Sequence, residues 1–167
     1  GTILTETQYF VDSLPQRNKI SMASEMKHLT SSKVINAARI MAINNEVDFL
    51  GFVGDDDRGT TAINDLQRYG INTDLVSTTN KQTGIVLVLS EEKEGSAIVL
   101  DLAANERLAQ VDEQLPLEKI QDYDYIYTAT SIPLKTLYKV VAISNKSDVS
   151  FALDFPNRTD EFNLEEL

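Results

Sequence analysis

The sequence predicts an α/β protein, with a sheet flanked by helices and extra antiparallel strands near its start. Strand-like apolar runs alternate along the chain with segments whose apolar residues recur at helical spacing. The mostly apolar run "VDFLGFVG" (47–54) is typical of a buried parallel strand. In "TGIVLVLSEEKEGSAIVLDL" (83–102), two β-branched runs flank a polar turn, which predicts a hairpin.

The first elements follow from the same patterns. Residues 2–11 are strand-like, and residues 19–29 alternate apolar and polar side chains, which predicts a half-exposed strand or a pair of strands. Residues 33–43 have helical spacing, and Ser31 or Ser32 can cap the N-terminus of that helix. Asn44 and Asn45 can end it in the left-handed conformation.

Three consecutive aspartates, residues 55–57, follow Gly54 and precede a segment in which Ile63, Leu66 and Tyr69 have helical spacing. They could form a metal site, a catalytic carboxylate cluster or a helix N-cap. A calcium loop needs ligands spread over about twelve residues, which this segment lacks. Carboxylates at this position accept the free N–H groups of the first helical turn, so we favour capping, and Gly70 should end the helix.

The C-terminal third continues the alternation. "YDYIYTATSIP" (123–133) predicts a strand, "LKTLYKVVAISN" (134–145) an amphipathic helix, and "VSFALD" (149–154) a last strand. We expect Leu134, Leu137, Val141 and Ile143 to lie largely on one side of that helix. Ligands of open α/β sheets sit beyond the carboxyl ends of the strands, which points to Gly54 and to residues 128–131 and 154–158.

Composition restricts the function. The chain has 167 residues, no cysteine and a net charge of −11, so cysteine nucleophiles and thiolate metal sites are excluded, and nucleic acid and anionic membranes are disfavoured partners. It contains no apolar run of 18 residues, and we expect a cytoplasmic protein. Gly1 leads directly into a β-prone stretch and "EFNLEEL" reads as the start of a helix, so we expect the chain to be part of a longer protein.

Several segments, in order, resemble the ribokinase-like (PfkB) carbohydrate kinases. "VGDDDRG…LQRYGINTDLV" resembles the family's "VGDDxxG…LxxxGVdt", and "GTILTETQYFVDSLP" resembles its opening "GsxxxDxxxxvdxlP". "SSKVINAARI" lies where the family has "GGKGaNxAxa", and "TGIVLVLSEEKEGSAIVLDLAANERL" is similar to its hairpin and "GAN" stretch. "FALDFPNR" is similar to "vilDpNxR". The resemblance covers nearly the whole chain, but only the N-terminal half of such a kinase.

The resemblance implies a ribokinase-like (Rossmann-like) sheet flanked by helices, with a small β-sheet lid. Residues 1–167 would be the N-terminal part of one such domain, with lid strands at about 2–29 and 83–102. The intact protein would transfer the γ-phosphate of ATP, with Mg²⁺, to a sugar or nucleoside hydroxyl. The family base lies in a "GAGD" motif that this sequence lacks, so we expect neither a catalytic residue nor a metal ligand in this chain. Dimerisation through the lid is also implied.

The residues that match family motifs are candidates for the substrate side. Glu6 replaces the family's Asp, and Ser31 and Ser32 replace paired glycines. The substrate-binding candidates are Glu6, Ser31, Ser32, Lys33, Asn36 and Ser131, and Asn157 and Arg158 are candidates for the phosphate side. Plainer interpretations stay open: Glu6 and Lys33 as solvated charges, Asn36 as an exposed polar residue, and Ser131 as a helix N-cap.

The departures from the family pattern leave a second function open. A non-catalytic kinase-like module that binds a sugar or metabolite would explain the loss of both glycines. An unrelated nucleotide-binding domain is disfavoured, because neither a G-x-x-x-x-G-K-[ST] nor a G-x-G-x-x-G motif occurs.

Overall fold

A computed structural model describes residues 1–91, 95–113 and 117–155 of the chain. Helices and strands alternate through most of this part, as the sequence predicts. The helices are α1 (Lys33–Met41), α2 (Asp57–Arg68) and α3 (Leu134–Lys146), with 3₁₀ turns at Ala103–Glu113 and Leu117–Asp122. The strands are β1 (Leu4–Val11), β2 (Ala23–Ser31), β3 (Val47–Asp48), β4 (Gly51–Gly54), β5 (Ile71–Asn72), β6 (Val76–Thr79), β7 (Gly84–Glu91), β8 (Gly95–Asp101), β9 (Tyr125–Ala129) and β10 (Ser150–Asp154).

The strands predicted for the lid form one four-stranded sheet in the order β2-β1-β7-β8. β1 runs antiparallel to β2 and parallel to β7, and β7 and β8 form the predicted antiparallel hairpin. Glu6 on β1 lies between Leu29 of β2 and Val86 of β7. The second predicted strand is shorter than expected, because residues 19–22 lie outside β2.

The rest of the fold is built on parallel pairs: β3 with β5, β4 with β6, and β9 with β10. The sequence patterns predict β9 and β10 and the segment that holds β3 and β4, but they do not predict β5 or β6. The apolar run at 47–54 is not one strand but two. Its first part pairs with β5 and its second part with β6, so Phe49 and Leu50 form the step between two partner strands. Residues 51–54 are buried throughout, as a parallel strand covered on both faces should be.

Two groups of buried apolar side chains hold these layers together. The first packs α1 and α2 against the sheet and includes Ile35, Phe49 and Leu66. The second joins β4 to α3 and the first 3₁₀ segment through Phe52, Leu108, Leu137 and others. On α3 the predicted face is wrong in part, because Leu134 is 39% exposed and the buried face instead adds Val140 and Ser144.

Helix ends follow the predicted chemistry at three of four positions. Ser32 caps α1 by accepting the Ile35 N–H, and Asp56 caps α2. Gly70 follows α2 with a φ of +74°, a conformation that glycine adopts without steric cost. The prediction for Asn44 and Asn45 is wrong, since the described residues with positive φ do not include them. Instead the Asn45 side chain donates to the Met41 carbonyl at 2.8 Å and satisfies the helix end that way.

Candidate functional site

The carboxyl ends of β2 and β9 meet around Thr2, which lies two residues before the start of β1. The Ser32 hydroxyl donates to the Thr2 carbonyl at 2.8 Å. The Thr2 hydroxyl lies 3.4 Å from the hydroxyl of Ser131, in the loop after β9. Two predicted substrate-binding residues that are 99 positions apart therefore share one hydrogen-bonding neighbour. Thr2 was not predicted as a site residue.

Lys33 and Asp154 pair across the same edge. Lys33 is the first residue of α1, and its Nζ lies 3.5 Å from an Asp154 carboxylate oxygen at the end of β10. The Lys33 side chain is 63% exposed and that of Asp154 is 29% exposed, so the pair is open to solvent on the lysine side. Tyr127 also hydrogen-bonds Asp154, and burial, with this carboxylate beside the phenol, raises the pKa of Tyr127. Asp154 lies at the carboxyl end of β10, where open α/β sheets bind their ligands.

The other predicted substrate-side residues lie on β1 and at the β2–α1 junction. Ser31 is buried at the end of β2, and the half-exposed Ser32 follows it directly. Asn36 is exposed one turn into α1, where its Oδ1 accepts a hydrogen bond from Arg39 at 3.3 Å. Glu6 is half-buried on β1. The structure thus brings four candidates, residues 31–33 and 131, to one edge around Thr2 and Asp154.

The structure decides the N-cap interpretation of Ser131 but does not describe the phosphate-side candidates. Ser131 is not the N-cap of α3, because the capping position is Pro133, which has no side-chain hydrogen bond to the helix. The phosphate-side candidates Asn157 and Arg158 lie outside the described residues.

The capping interpretation of the aspartates at 55–57 is confirmed, and only one of the three caps the helix. Asp56 Oδ1 accepts the Gly59 N–H at 2.8 Å. The same carboxylate accepts the Thr83 backbone N–H at 2.8 Å and the Thr83 hydroxyl at 2.6 Å. Burial raises the pKa of Asp56, but the hydrogen bonds from Thr83 and Gly59 and the charge of Arg58 outweigh it, so the pKa is lowered. Asp56 therefore joins α2 to the start of the β7–β8 hairpin.

Asn105, in the motif that resembles the family's "GAN", is buried and binds the backbone of Ile3 through its side chain. It is 2% exposed, and its side chain both accepts from the Ile3 N–H and donates to the Ile3 carbonyl, each at 2.8 Å. It also donates to the Leu102 carbonyl at 3.0 Å. Ala103, at the start of the motif, has a φ of +43°, which explains why the family pattern has glycine there.

A cavity of about 550 Å³ lies next to these residues, because Gly1, Val34 and Ile132 line it, but none of the predicted substrate-binding residues does. Two runs of consecutive residues, 45–50 and 125–128, are also part of its lining. The Gly1 α-amine at its border donates to the Leu50 carbonyl at 2.5 Å. Burial lowers the pKa of that amine to about 5.

The described residues carry two further negative findings. Among residues 1–91, 95–113 and 117–155, no group of three or more His, Asp or Glu side chains is placed to hold a metal ion. No helix within these same ranges is long and apolar enough to cross a membrane.

Comparison with known proteins gives the family. The sequence pattern of the pfkB family of carbohydrate kinases matches residues 6–165, nearly the whole chain. The chain belongs to the PfkB family. This confirms the resemblance of the sequence segments.

Among curated PfkB relatives, the ribokinase of Bacillus subtilis is 25% identical over 145 residues, which cover 86% of this chain and 49% of that protein. The ribokinase of Schizosaccharomyces pombe is 27% identical over 112 residues, or 66% of this chain and 35% of that protein. The chain thus spans half the length or less of these relatives.

Solved structures confirm the ribokinase-like fold. The ribokinase of Thermotoga maritima superposes with a TM-score of 0.83 at 20% identity, covering 99% of this chain and 54% of that one. The ribokinase of Arabidopsis thaliana, complexed with ribose and ATP, superposes with a TM-score of 0.78 at 22% identity, covering 92% and 51%. At these identities the likeness shows the fold alone.

Proposed function

We propose that these residues form the substrate side and the lid of a sugar or nucleoside kinase that uses ATP. Family membership supports this, and so does the Arabidopsis neighbour, whose complex contains ribose and ATP. The observation that carries the proposal is the meeting of Ser32, Ser131 and the Lys33–Asp154 pair where the end of β2 approaches the ends of β9 and β10. Residues 1–167 are, on this proposal, the N-terminal part of one domain.

The chain's own residues would bind and orient the acceptor sugar. Glu6, Asn36 and Ser131 offer acceptors and donors for hydroxyl groups, and Lys33 offers a cation beside Asp154. Holding a hydroxyl in line with the γ-phosphate is the main contribution that such a site makes, because phosphoryl transfer depends on positioning and charge stabilisation. The base that takes the hydroxyl proton would come from outside this sequence, which contains no "GAGD".

ATP and Mg²⁺ are part of the proposal. A neighbour from Cryptococcus neoformans was solved in complex with ADP, which supports an adenine nucleotide. The described residues supply no cluster of carboxylates for a cation. On this proposal Mg²⁺ would accompany the nucleotide phosphates and neutralise charge during transfer.

We also propose that the four-stranded sheet mediates a homodimer. Large apolar side chains are exposed on β2 and β8, with Met26 at 56%, Ile98 at 62% and Val99 at 64%. Met26 and Val99 lie on one face of the sheet and Ile98 on the other, and exposed apolar side chains on a small sheet with open edges are typical of an interaction site. Light scattering should give twice the protomer mass for the intact protein, and Ile98→Lys should reduce that mass. A monomer at high protein concentration would contradict the dimer.

Sugar binding measured together with ADP release separates the kinase from a non-catalytic binder. Calorimetry should detect binding of one sugar from a panel by the intact protein, and Lys33→Met should weaken it, with the exposed Lys135→Met as the matched control. Wild-type binding by Lys33→Met would contradict the placement of the site. Sugar binding without any ADP release, under conditions where the protein is folded, would favour the binding module.

A further inference from the structure

Arg39 connects the β2–α1 junction to α2. Its Nη2 donates to the Thr30 carbonyl at 2.9 Å and pairs with the Asp65 carboxylate at 2.5 Å. Its guanidinium also lies over the ring of Tyr69, 4.8 Å from the centroid. The side chain is 17% exposed, so the charge is largely enclosed. Arg39 is therefore held from several sides in one orientation.

The same guanidinium fixes the side-chain amide of Asn36. Its Nη1 lies 3.3 Å from Asn36 Oδ1. Because a guanidinium has donors only, the amide atom that faces it must be the oxygen. The amide NH₂ of Asn36 is then the group available on the exposed side of α1. Rotating the amide by half a turn would place NH₂ against the guanidinium, which opposes that rotation.

The peptide carbonyl held by Arg39 is also close to the site in sequence. Thr30 directly precedes Ser31 and Ser32, and Asn36 lies one turn beyond Lys33 on the same face of α1. One side chain thus fixes both the end of β2 and the amide of Asn36. The Nη groups of Arg39 make the contacts to Thr30, Asp65 and Asn36. Its Nε–H is buried and has no partner among the described residues.

We propose that Arg39 is a positioning residue that presents the Asn36 amide NH₂ to the substrate, so that Asn36 acts as a hydrogen-bond donor. This rests on the proposed function. The site would then select an oxygen acceptor at that position of the sugar, a hydroxyl or a carbonyl. It would discriminate against an ammonium group, which has no lone pair to offer. A purely structural Arg39 would affect stability but not this selectivity.

Two variants separate these roles. Arg39→Lys keeps the charge near Asp65 but loses the planar fork that reaches Thr30 and Asn36 together. Asn36→Asp keeps an acceptor for Arg39 and removes the NH₂ donor, and its exposed position leaves the fold intact. The matched control is Arg68→Lys, on the exposed last turn of α2.

Sugar-dependent ADP release by the intact protein gives the functional readout, with D-ribose as the first probe and a sugar panel after it. One lost hydrogen bond corresponds to a change of about two- to tenfold. We expect both variants to raise the KM for the sugar by this factor with the KM for ATP unchanged, and the control to match wild type. Wild-type sugar KM values in both variants would overturn the proposal.

A second measurement does not require activity. The ¹⁵N relaxation of the Asn36 side-chain amide should show an ordered group in the wild type and in Arg68→Lys, and a mobile group in Arg39→Lys. If no sugar supports ADP release but the amide behaves in this way, the proposed function fails and the positioning by Arg39 stands. If the amide is equally mobile in wild type and Arg39→Lys, the positioning by Arg39 is refuted whatever the activity.

Discussion

Asp56 should contribute more to stability than an ordinary helix cap, because its carboxylate also holds Thr83. Replacing Asp56 with Ala removes the cap, which costs about 1 kcal/mol. It also leaves the N–H and hydroxyl of Thr83, a residue only 1% exposed, without their acceptor. Each unsatisfied group costs about 1–3 kcal/mol. Because Asp56 itself is half-exposed, water replaces part of the lost hydrogen bonding. We therefore expect Asp56→Ala to lower the free energy of unfolding by about 3 kcal/mol.

Neighbouring variants supply the controls for that prediction. Asp55→Ala should change stability by less than about 0.5 kcal/mol, and Asp57→Ala, in the first turn of α2, by about 0.3–1 kcal/mol. Asp56→Asn keeps one acceptor oxygen, so its loss of stability should lie between those of Asp55→Ala and Asp56→Ala. Urea unfolding followed by circular dichroism measures all four, with an unchanged slope as the test of two-state behaviour. A loss of stability for Asp56→Ala no larger than that for Asp55→Ala would show that the hydrogen bonds that Asp56 accepts from Gly59 and Thr83 do not stabilise the fold.

Three further predictions concern other contacts. Ala103→Gly should raise the free energy of unfolding by about 0.5–1 kcal/mol in urea, because φ is +43° there; a loss would contradict this. Asn105→Leu should destabilise by at least about 2 kcal/mol, because the Ile3 N–H and carbonyl lose a buried partner; an unchanged urea midpoint would contradict this. For this 167-residue chain, stability should rise from pH 5 to pH 8, because the unfolded amine at Gly1 binds a proton that the folded amine, with a pKa of about 5, does not. The full shift corresponds to at most about 4 kcal/mol, reduced by the partial exposure of Gly1, and acetylating the amine should abolish this rise in melting experiments.

Local patterns predict the helices and the longer strands, because helix caps and strand alternation depend on neighbours in sequence, but they miss the short strands β5 and β6. Position alone predicts a cap at Ser31 or Ser32 and another among the aspartates at 55–57, and the structure selects Ser32 and Asp56. Sequence could not choose among the three aspartates, since the choice depends on Thr83, 27 residues further along the chain. The split of the apolar run at 47–54 depends on which later strand pairs with each half, and that is a property of the sheet.

Most candidate site residues were predicted by family motif, while the rule for strand ends pointed to residues 128–131 and to Asp154. Ser131 and Ser32 meet through Thr2, and Lys33 meets Asp154, over separations that no periodicity encodes. Arg39 was missed because a lone arginine on an alanine-containing helix looks like an ordinary exposed charge. Its spacing of three residues from Asn36 was the available signal.

On the proposal made here, these residues are the substrate side of an ATP-dependent sugar or nucleoside kinase. Substrate-dependent ADP release by the intact protein, measured against a panel of sugars and nucleosides that includes D-ribose, tests it most directly. We expect release with at least one member of the panel, and none from the 167-residue chain alone, whose sequence lacks the "GAGD" base. Folded intact protein that releases no ADP with any member would contradict the account.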